Sequence, residues 1–552
     1  MIFKRALAIS LACVLVGCGG GDINIEPRTT VENSNNTTNT GATNPNANAN
    51  DVCASYTNSG GQVIEGVFDG TNCNYSPSFV DAGNNLTVDM TIPALDNGGA
   101  HIFEGSLFVG ETYDNDSDMM VAGISEGGDG PVLTVEAGAT VAFQSSSDFM
   151  IINRGSQLFA VGTADQPITF TSVSDVTGTL PSFDAVQQWG GMVINGFGVT
   201  NKCDYTGSRA GGDLATTDCH VDAEGAAGLD ESQYGGDNDD DSSGRLEYVV
   251  IKHTGATVGN GDELNGISFG GVGRNTIVEN LQVYSTFDDG IEMFGGAVSF
   301  KNFAALYVRD DSIDIDEGWS GSIENALVIQ AGGIGNHCIE ADGIGSFSGL
   351  TAVEVEAVIA QGINSRATIS NLTCIISPSE AQGDFDPGAG WRLREGLFAD
   401  ISDSMVITSF GVDSADNNYC LRIDNRSQQA AQDGDLTISS SVFACEERTN
   451  GGSLPNGTSV EQFAIDSGNT FATLAGQTNP TAANDSDLQL LEGAPPIYSI
   501  DYATMSVDGM MLPGAPQDGA YIGGLSLGDV NWAADWTFGI FDGARSESLW
   551  IE

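Results

Sequence analysis

The stretch "IVENLQVYSTFDDGIEMFGGAVSFKNFAALYVRDDSIDIDEGWSGSIENALVI" occupies residues 277–329 and carries one short pattern three times. Its strand-like runs, "IVENLQV" (277–283), "VSFKNFAALYV" (298–308) and "SIENALVI" (322–329), align on Asn280, Asn302 and Asn325, at steps of 22 and 23 residues. Downstream, "ATISNLTCII" (367–376), "ISDSMVI" (401–407) and "LTISSSVFA" (436–444) continue the column through Asn371, Asp403 and Ser440, at steps of 46, 32 and 37. The step of 46 is twice 23 and predicts one rung that has lost its signature; the wider steps predict rungs with inserted loops. β-rich runs at this interval, with 73 glycines and 15 prolines and no sustained 3.6-residue period, predict an all-β chain wound as a parallel β-solenoid.

Between the strands, "DDGIEMFGG" (288–296) and "DDSIDIDEG" (310–318) are near copies 22 residues apart. On stacked strands alternate side chains point inward, and equivalent residues lie about 4.8 Å apart. Ile291 over Ile313 and Met293 over Ile315 form the inward ladder, so Glu292 and Asp314 face outward, one above the other. "NHCIEADG" (336–343) adds Glu340 to that column and puts Asp342 over Asp316. Like charges about 5 Å apart repel by roughly 3 kcal/mol at an effective dielectric near 20, so the column calls for screening, raised pKa values or a cation. Calcium, which takes six to eight oxygens in flexible geometry, makes Asp288, Asp289, Glu292, Asp310, Asp311, Asp314, Asp316, Glu340 and Asp342 the candidate metal site. The plainer alternative is a set of solvated turn residues.

Further along, the column changes sign. "GWRLREG" (390–396) and "NYCLRIDN" (418–425) bring Arg392, Arg394 and Arg422 onto the acidic positions. Guanidinium forks bind carboxylate or sulfate, so these arginines are the candidate contacts to an acidic glycan. His253 and His337 are candidate acid–base groups. "DNDDDSSG" (237–244) lacks the glycine and the glutamate of an EF-hand loop and is expected to be a solvated loop.

The chain opens "MIFKRALAISLACVLVGCGGG". Two basic residues and a short apolar run suit a signal peptide over 1–17, too short to span a bilayer. An Asn/Thr/Gly-rich stretch to residue 50 reads as a flexible tether. Residues 51–130 are expected to form an N-terminal cap, 131–480 the coil with a long insertion at 200–245, and 481–552 a C-terminal cap, its Trp532, Trp536 and Trp550 covering the open end. With 18 basic against 75 acidic residues and a net charge of −57, a nucleic-acid partner is excluded by charge. In an exported chain cysteines form disulfides, and the most economical pairing is Cys53–Cys73, Cys203–Cys219, Cys338–Cys374 and Cys420–Cys445.

"VLTVEAGATVAFQSSSDFMIINRGSQLFAVGTADQPITFTS" (132–172) resembles the opening coils of right-handed parallel β-helix proteins of the pectin-lyase-like class. Together with "WGGMVINGFG" (189–198), the paired acidic loops and "DGAYIGG…NWAADWTFGI" (518–540), it is similar to bacterial exported lipoproteins often encoded near TonB-dependent receptors. "LVGC" resembles a lipobox, which implies a lipid on Cys18; Gly19 after it implies the outer membrane. The resemblance implies a right-handed parallel β-helix with N- and C-terminal caps. Two functions remain open on the residues: a surface or periplasmic lipoprotein binding an acidic glycan with calcium, and a calcium-dependent polysaccharide lyase or glycoside hydrolase acting on a uronic-acid-rich polysaccharide. Lyase chemistry needs a base beside the cation, and outside the signal segment the lysines are Lys202, Lys252 and Lys301.

Overall fold

The computed structural model describes residues 52–475 except 82, 125–127, 224–231, 258–262, 333, 378–386, 409–418 and 446, together with 488–492, 506–507, 510–511, 521–525 and 531–540. Two long parallel ladders run through it. One is a ten-stranded sheet, whose strands we number β1 (Leu107–Val109), β2 (Met150–Ile152), β3 (Met192–Asn195), β4 (Ile267–Gly270), β5 (Ile291–Phe294), β6 (Ile313–Asp316), β7 (His337–Asp342), β8 (Ala389–Arg394), β9 (Tyr419–Ile423) and β10 (Glu447–Thr449). Every neighbouring pair in it is parallel and consecutive in the chain. The opposite ladder contains the long strands Gly244–Lys252, Ile277–Tyr284, Ser299–Leu306, Ser322–Ile329 and Arg366–Ile376. The chain therefore alternates between two sheets, one rung per circuit, which is a parallel β-helix.

The aligned asparagines mark a bend within each long strand. Asn280, Asn302, Asn325, Asn371, Asp403 and Ser440 all have φ between 49 and 60°, the left-handed region that Asn and Asp tolerate best among residues with a side chain. Asn302 Nδ2 donates to Asn280 Oδ1 at 3.0 Å and Asn325 Nδ2 to Asn302 Oδ1 at 3.1 Å, so the corner residues also bond from rung to rung. Tyr248 occupies the same corner one rung earlier, with φ 52°.

The expected missing rung does not exist. Ala326 pairs directly with Leu372, and the additional length of the 46-residue step is taken up by an excursion containing the helix Ala352–Gln361. A Thr351/Glu354 capping box starts that helix and Gly362 ends it in the left-handed conformation. Parallel pairing also begins before residue 131: Cys73–Tyr75 pairs with His101–Phe103, which pairs with Thr140–Phe143. The region expected as a cap thus shares the ladders of the coil, behind an antiparallel pair, Ser55–Thr57 with Val63–Glu65. All four expected disulfides are formed.

Inside the coil, side chains such as Ile291, Ile313, Ile339, Trp391 and Leu421 are wholly buried. A second apolar layer lies outside it. Tyr284, Leu306, Leu327, Ile329 and Ile375 face away from that interior and are covered by Leu525, Ala533 and Ile540. Gln282 clamps Phe538 through both of its backbone polar groups, at 2.8 and 2.6 Å, and Tyr521 Oη donates to Asn325 Oδ1 at 3.3 Å. The described part of the tail, with Trp532 and Trp536, therefore straps the flank of the coil instead of covering its end; Trp550 lies outside the described residues. The exposed alternative would leave a row of large apolar side chains in water, which burial under the strap avoids.

Candidate functional site

The outer face of the ten-stranded sheet presents one continuous column: Val193, Ser268, Glu292, Asp314, Glu340, Arg392 and Arg422 are successive register partners. Two residues further along each strand, Phe294 pairs with Asp316 and Asp342 with Arg394. The acids and arginines read from the sequence are thus brought onto one face.

A second ladder precedes the strands. Asn265 Oδ1 accepts from the Asp289 amide at 3.1 Å, Asp289 Oδ1 from the Asp311 amide at 2.9 Å, and Asp311 Oδ1 from the His337 amide at 2.6 Å. Each side chain thus ties down the backbone of the next rung, as turn aspartates and asparagines do. His337 Nδ1 lies 2.8 Å from Asp311 Oδ1 and its Nε2 3.0 Å from Tyr419 Oη. Burial pushes the imidazole down to about 4, so at neutral pH it is uncharged.

The arginines are engaged within the chain. Arg392 Nη1 donates to Glu340 Oε1 at 2.9 Å, and Arg394 bridges Glu340 Oε2 at 2.7 Å and Asp342 Oδ1 at 2.5 Å. Arg422 pairs with Asp424. These pairs compensate the later acids. Burial, reinforced by neighbouring carboxylates, holds Asp289, Asp311, Asp314 and Asp316 well above the usual carboxylate range, because a desolvated carboxylate disfavours its charged form.

Asp314, the central acid, has the least support. Its Oδ1 is sealed from solvent and has no hydrogen-bond partner among the described residues. Oxygens of Asp289, Glu292 and Asp314 lie within 4.8 Å of one another. Two oxygens bound to one calcium at about 2.4 Å can be at most about 4.8 Å apart, so this all-oxygen set fits a hard cation. Asp288, Asp289 and Asp310 form a second such group, and Asp311, His337 and Glu340 a third that includes nitrogen.

The insertion supplies residues that the sequence did not announce. Glu317, at φ 55°, accepts from Tyr234 Oη at 2.5 Å and Thr200 Oγ1 at 2.9 Å, and lies 3.3 Å from Lys202 Nζ. It fastens the insertion against the end of β6. Asn265 Nδ2 donates to Glu292 Oε2 at 2.5 Å; extending the repeat back one rung, "NGISFG" (265–270) over "DGIEMFG" (289–295), would have found it. The expected solvated loop at 237–244 is instead a clamp: Asp241 is 1% exposed, Asp239 meets Arg209 at 3.1 Å, and Asp240 meets Arg274 at 2.7 Å. Among the lysines, Lys252 is buried against Asp175 at 2.6 Å and Lys301 stands near Glu324 on the other ladder; Lys202 borders the acidic face. His253 is buried away from that face, its Nδ1 bonded to the Ala185 carbonyl at 2.6 Å. Cys18 lies outside the described residues.

The family model described as a pectate-lyase like beta helix domain matches residues 107–489, most of the chain and all ten strands of the sheet that carries the acidic column. No curated protein and no solved structure matches it. With its alternating parallel ladders and this match over more than half its length, the chain belongs to the pectate-lyase-like β-helix family.

Proposed function

We propose that the chain is a β-helix lipoprotein that binds an acidic saccharide through a calcium ion held on the outer face of the ten-stranded sheet. The observation that carries this reading is Asp314: an in-register carboxyl group between Glu292 and Glu340, with one sealed oxygen that has no hydrogen-bond partner among the described residues. Calcium would be held by Asp289, Glu292 and Asp314, and would offer remaining coordination positions to a sugar carboxylate. Family membership supports carbohydrate as the ligand class. Because Glu340, Asp342 and Asp424 engage the three arginines, their role in this reading is to balance the protein's own acids first and to meet a ligand second.

The test is a screen of polysaccharides with and without calcium, each hit followed for unsaturated products and new chain ends. Calcium-dependent retention without turnover supports binding; new chain ends transfer the site to the lyase or hydrolase reading. One observation favours that second reading: Lys202, a possible proton acceptor, borders the acidic face. Its ammonium is bonded to Glu317 Oε1 and Ser346 Oγ and would have to give up a proton before it could take one from a substrate, so binding is preferred. The reading also places a lipid on Cys18, the body at the outer membrane, and a TonB-dependent receptor as partner. Fatty-acid labelling that persists in Cys18→Ser would remove the anchor from it.

A further inference from the structure

We infer that this face takes the end of a saccharide chain and not its middle, because the insertion dead-ends the outward column on its early-rung side. This rests on the saccharide reading above. Along the column, Ile151 is 1% exposed, Val193 2% and Glu292 8%, whereas the side chains of Glu340, Arg392 and Arg422 are 13, 25 and 32% exposed. The same row therefore passes from a covered stretch into a partly exposed one.

What seals it is the insertion. Ala223 and Tyr234 pack with Ile151 and Val193 in one apolar cluster, and Phe294, half-buried, lies at its edge. Tyr234 marks the stop: its ring centre is 6.1 Å from that of Phe294, while its hydroxyl is bonded to Glu317. The side exit at the strand ends is closed by the same insertion, where Thr200 and Lys202 meet Glu317 and Asn201 Nδ2 donates to the Gly343 carbonyl at 3.2 Å. A linear polymer lying on the acidic column would have to pass through Tyr234. A chain terminus entering from the Arg422 side would not: its last ring would reach Phe294, whose apolar face can stack on the C–H face of a sugar, beside the carboxylates that hold the cation.

The probes are polygalacturonate and its fragments, titrated calorimetrically in calcium at equal mass concentration. End recognition predicts that the number of binding sites per gram rises in proportion to the number of chain ends as the polymer is cut to trimers, and that only one of two terminal alterations, borohydride reduction of the reducing end or a 4,5-unsaturated residue at the non-reducing end, changes trimer affinity. Phe294→Ala is expected to weaken trimer binding about tenfold while leaving the calcium midpoint of the apo protein in place. A site count per gram that cutting leaves unchanged overturns the inference but keeps the saccharide reading. Equal trimer affinity in Phe294→Ala removes Phe294 as the stop and overturns the inference likewise. Failure of polymer and fragments alike to bind a protein that still binds calcium removes the saccharide reading, and this inference with it.

Discussion

Arg394 Nη2 donates to Glu340 Oε2 at 2.7 Å across one step of the ten-stranded sheet. The arginine thereby compensates an acid that burial would otherwise leave exposed to the repulsion of Asp311 and Asp342. Breaking such a pair from one side leaves a desolvated charge, which costs roughly 3–5 kcal/mol when burial is complete. With 22 and 13% of the two side chains exposed, Arg394→Met is expected to lose the lower part of that range in chelator. Arg422→Met, on a side chain 32% exposed, should lose under about 1 kcal/mol. Urea unfolding of both variants checks the order; equal losses would contradict it.

The pH dependence has a definite sign. Where burial raises a carboxyl in the folded state, the folded protein holds a proton that the unfolded chain has released, so stability falls as pH rises through that window. Asp289, Asp311, Asp314 and Asp316 all contribute in this direction. His337, pushed down to about 4, contributes oppositely, but only below its unfolded value near 6.5. Above about 6.5 the imidazole no longer opposes the acids. Above that value the chelated protein should lose stability as pH rises and the calcium-loaded protein should lose less, since calcium would neutralise Asp289 and Asp314 but not Asp311 and Asp316; a flat or rising urea midpoint in chelator would count against the assignment.

Tyr234→Phe deletes the hydroxyl that meets Glu317 and keeps the ring against Phe294. A hydrogen bond to a charged group contributes roughly 1.5–3 kcal/mol, so amides near Thr200 and Asn201 should exchange faster while those of β6 remain protected. Uniform acceleration across the coil would show that Glu317 does not act through the insertion.

Trp536 is 4% exposed and packs edge-on against Tyr248, ring centres 5.7 Å apart. Removing a large buried aromatic costs about 3–5 kcal/mol, and here it also loosens the strap over Tyr284, Leu306 and Leu327. Trp536→Ala should lower the unfolding temperature and raise dye binding to apolar surface; a change in neither would mean that the strap does not cover these residues in solution.

Much of the fold was legible because one physical constraint repeats. Each rung must turn a corner in the left-handed region, and Asn or Asp at that corner is visible in the sequence at every aligned position from Asn280 to Asp403. Tyr248 escaped because nothing about a tyrosine signals positive φ. The helix Ala352–Gln361 escaped because a doubled interval looks like a missing repeat when only spacing is read. The acidic column was readable from register alone, since Ile291 over Ile313 fixes where Glu292 and Asp314 point. Its surroundings were not: Glu317, Tyr234 and Thr200 meet through an insertion whose contacts span more than 80 residues of chain, and no local pattern encodes them. The strap was hinted at by "FAALYV" (303–308) and "ALVI" (326–329), continuous apolar runs where a strand with one wet face would alternate, but which segment covers them depends on tertiary packing.

The most direct test of the cation site is thermal unfolding of wild type and Asp314→Asn, each in chelator and in calcium. At free calcium about a hundredfold above its dissociation constant, one site adds roughly 2.7 kcal/mol to the folded state. Asp314→Asn puts a neutral amide in place of the central carboxyl of the Glu292–Asp314–Glu340 row, which in chelator must either bury a charge or keep a proton, so in chelator it should unfold at a higher temperature than wild type, and in calcium it should gain much less. Opposite signs of this kind separate a cation site from general acidity. An identical calcium shift in both proteins, or a lower unfolding temperature for Asp314→Asn in chelator, would contradict the account.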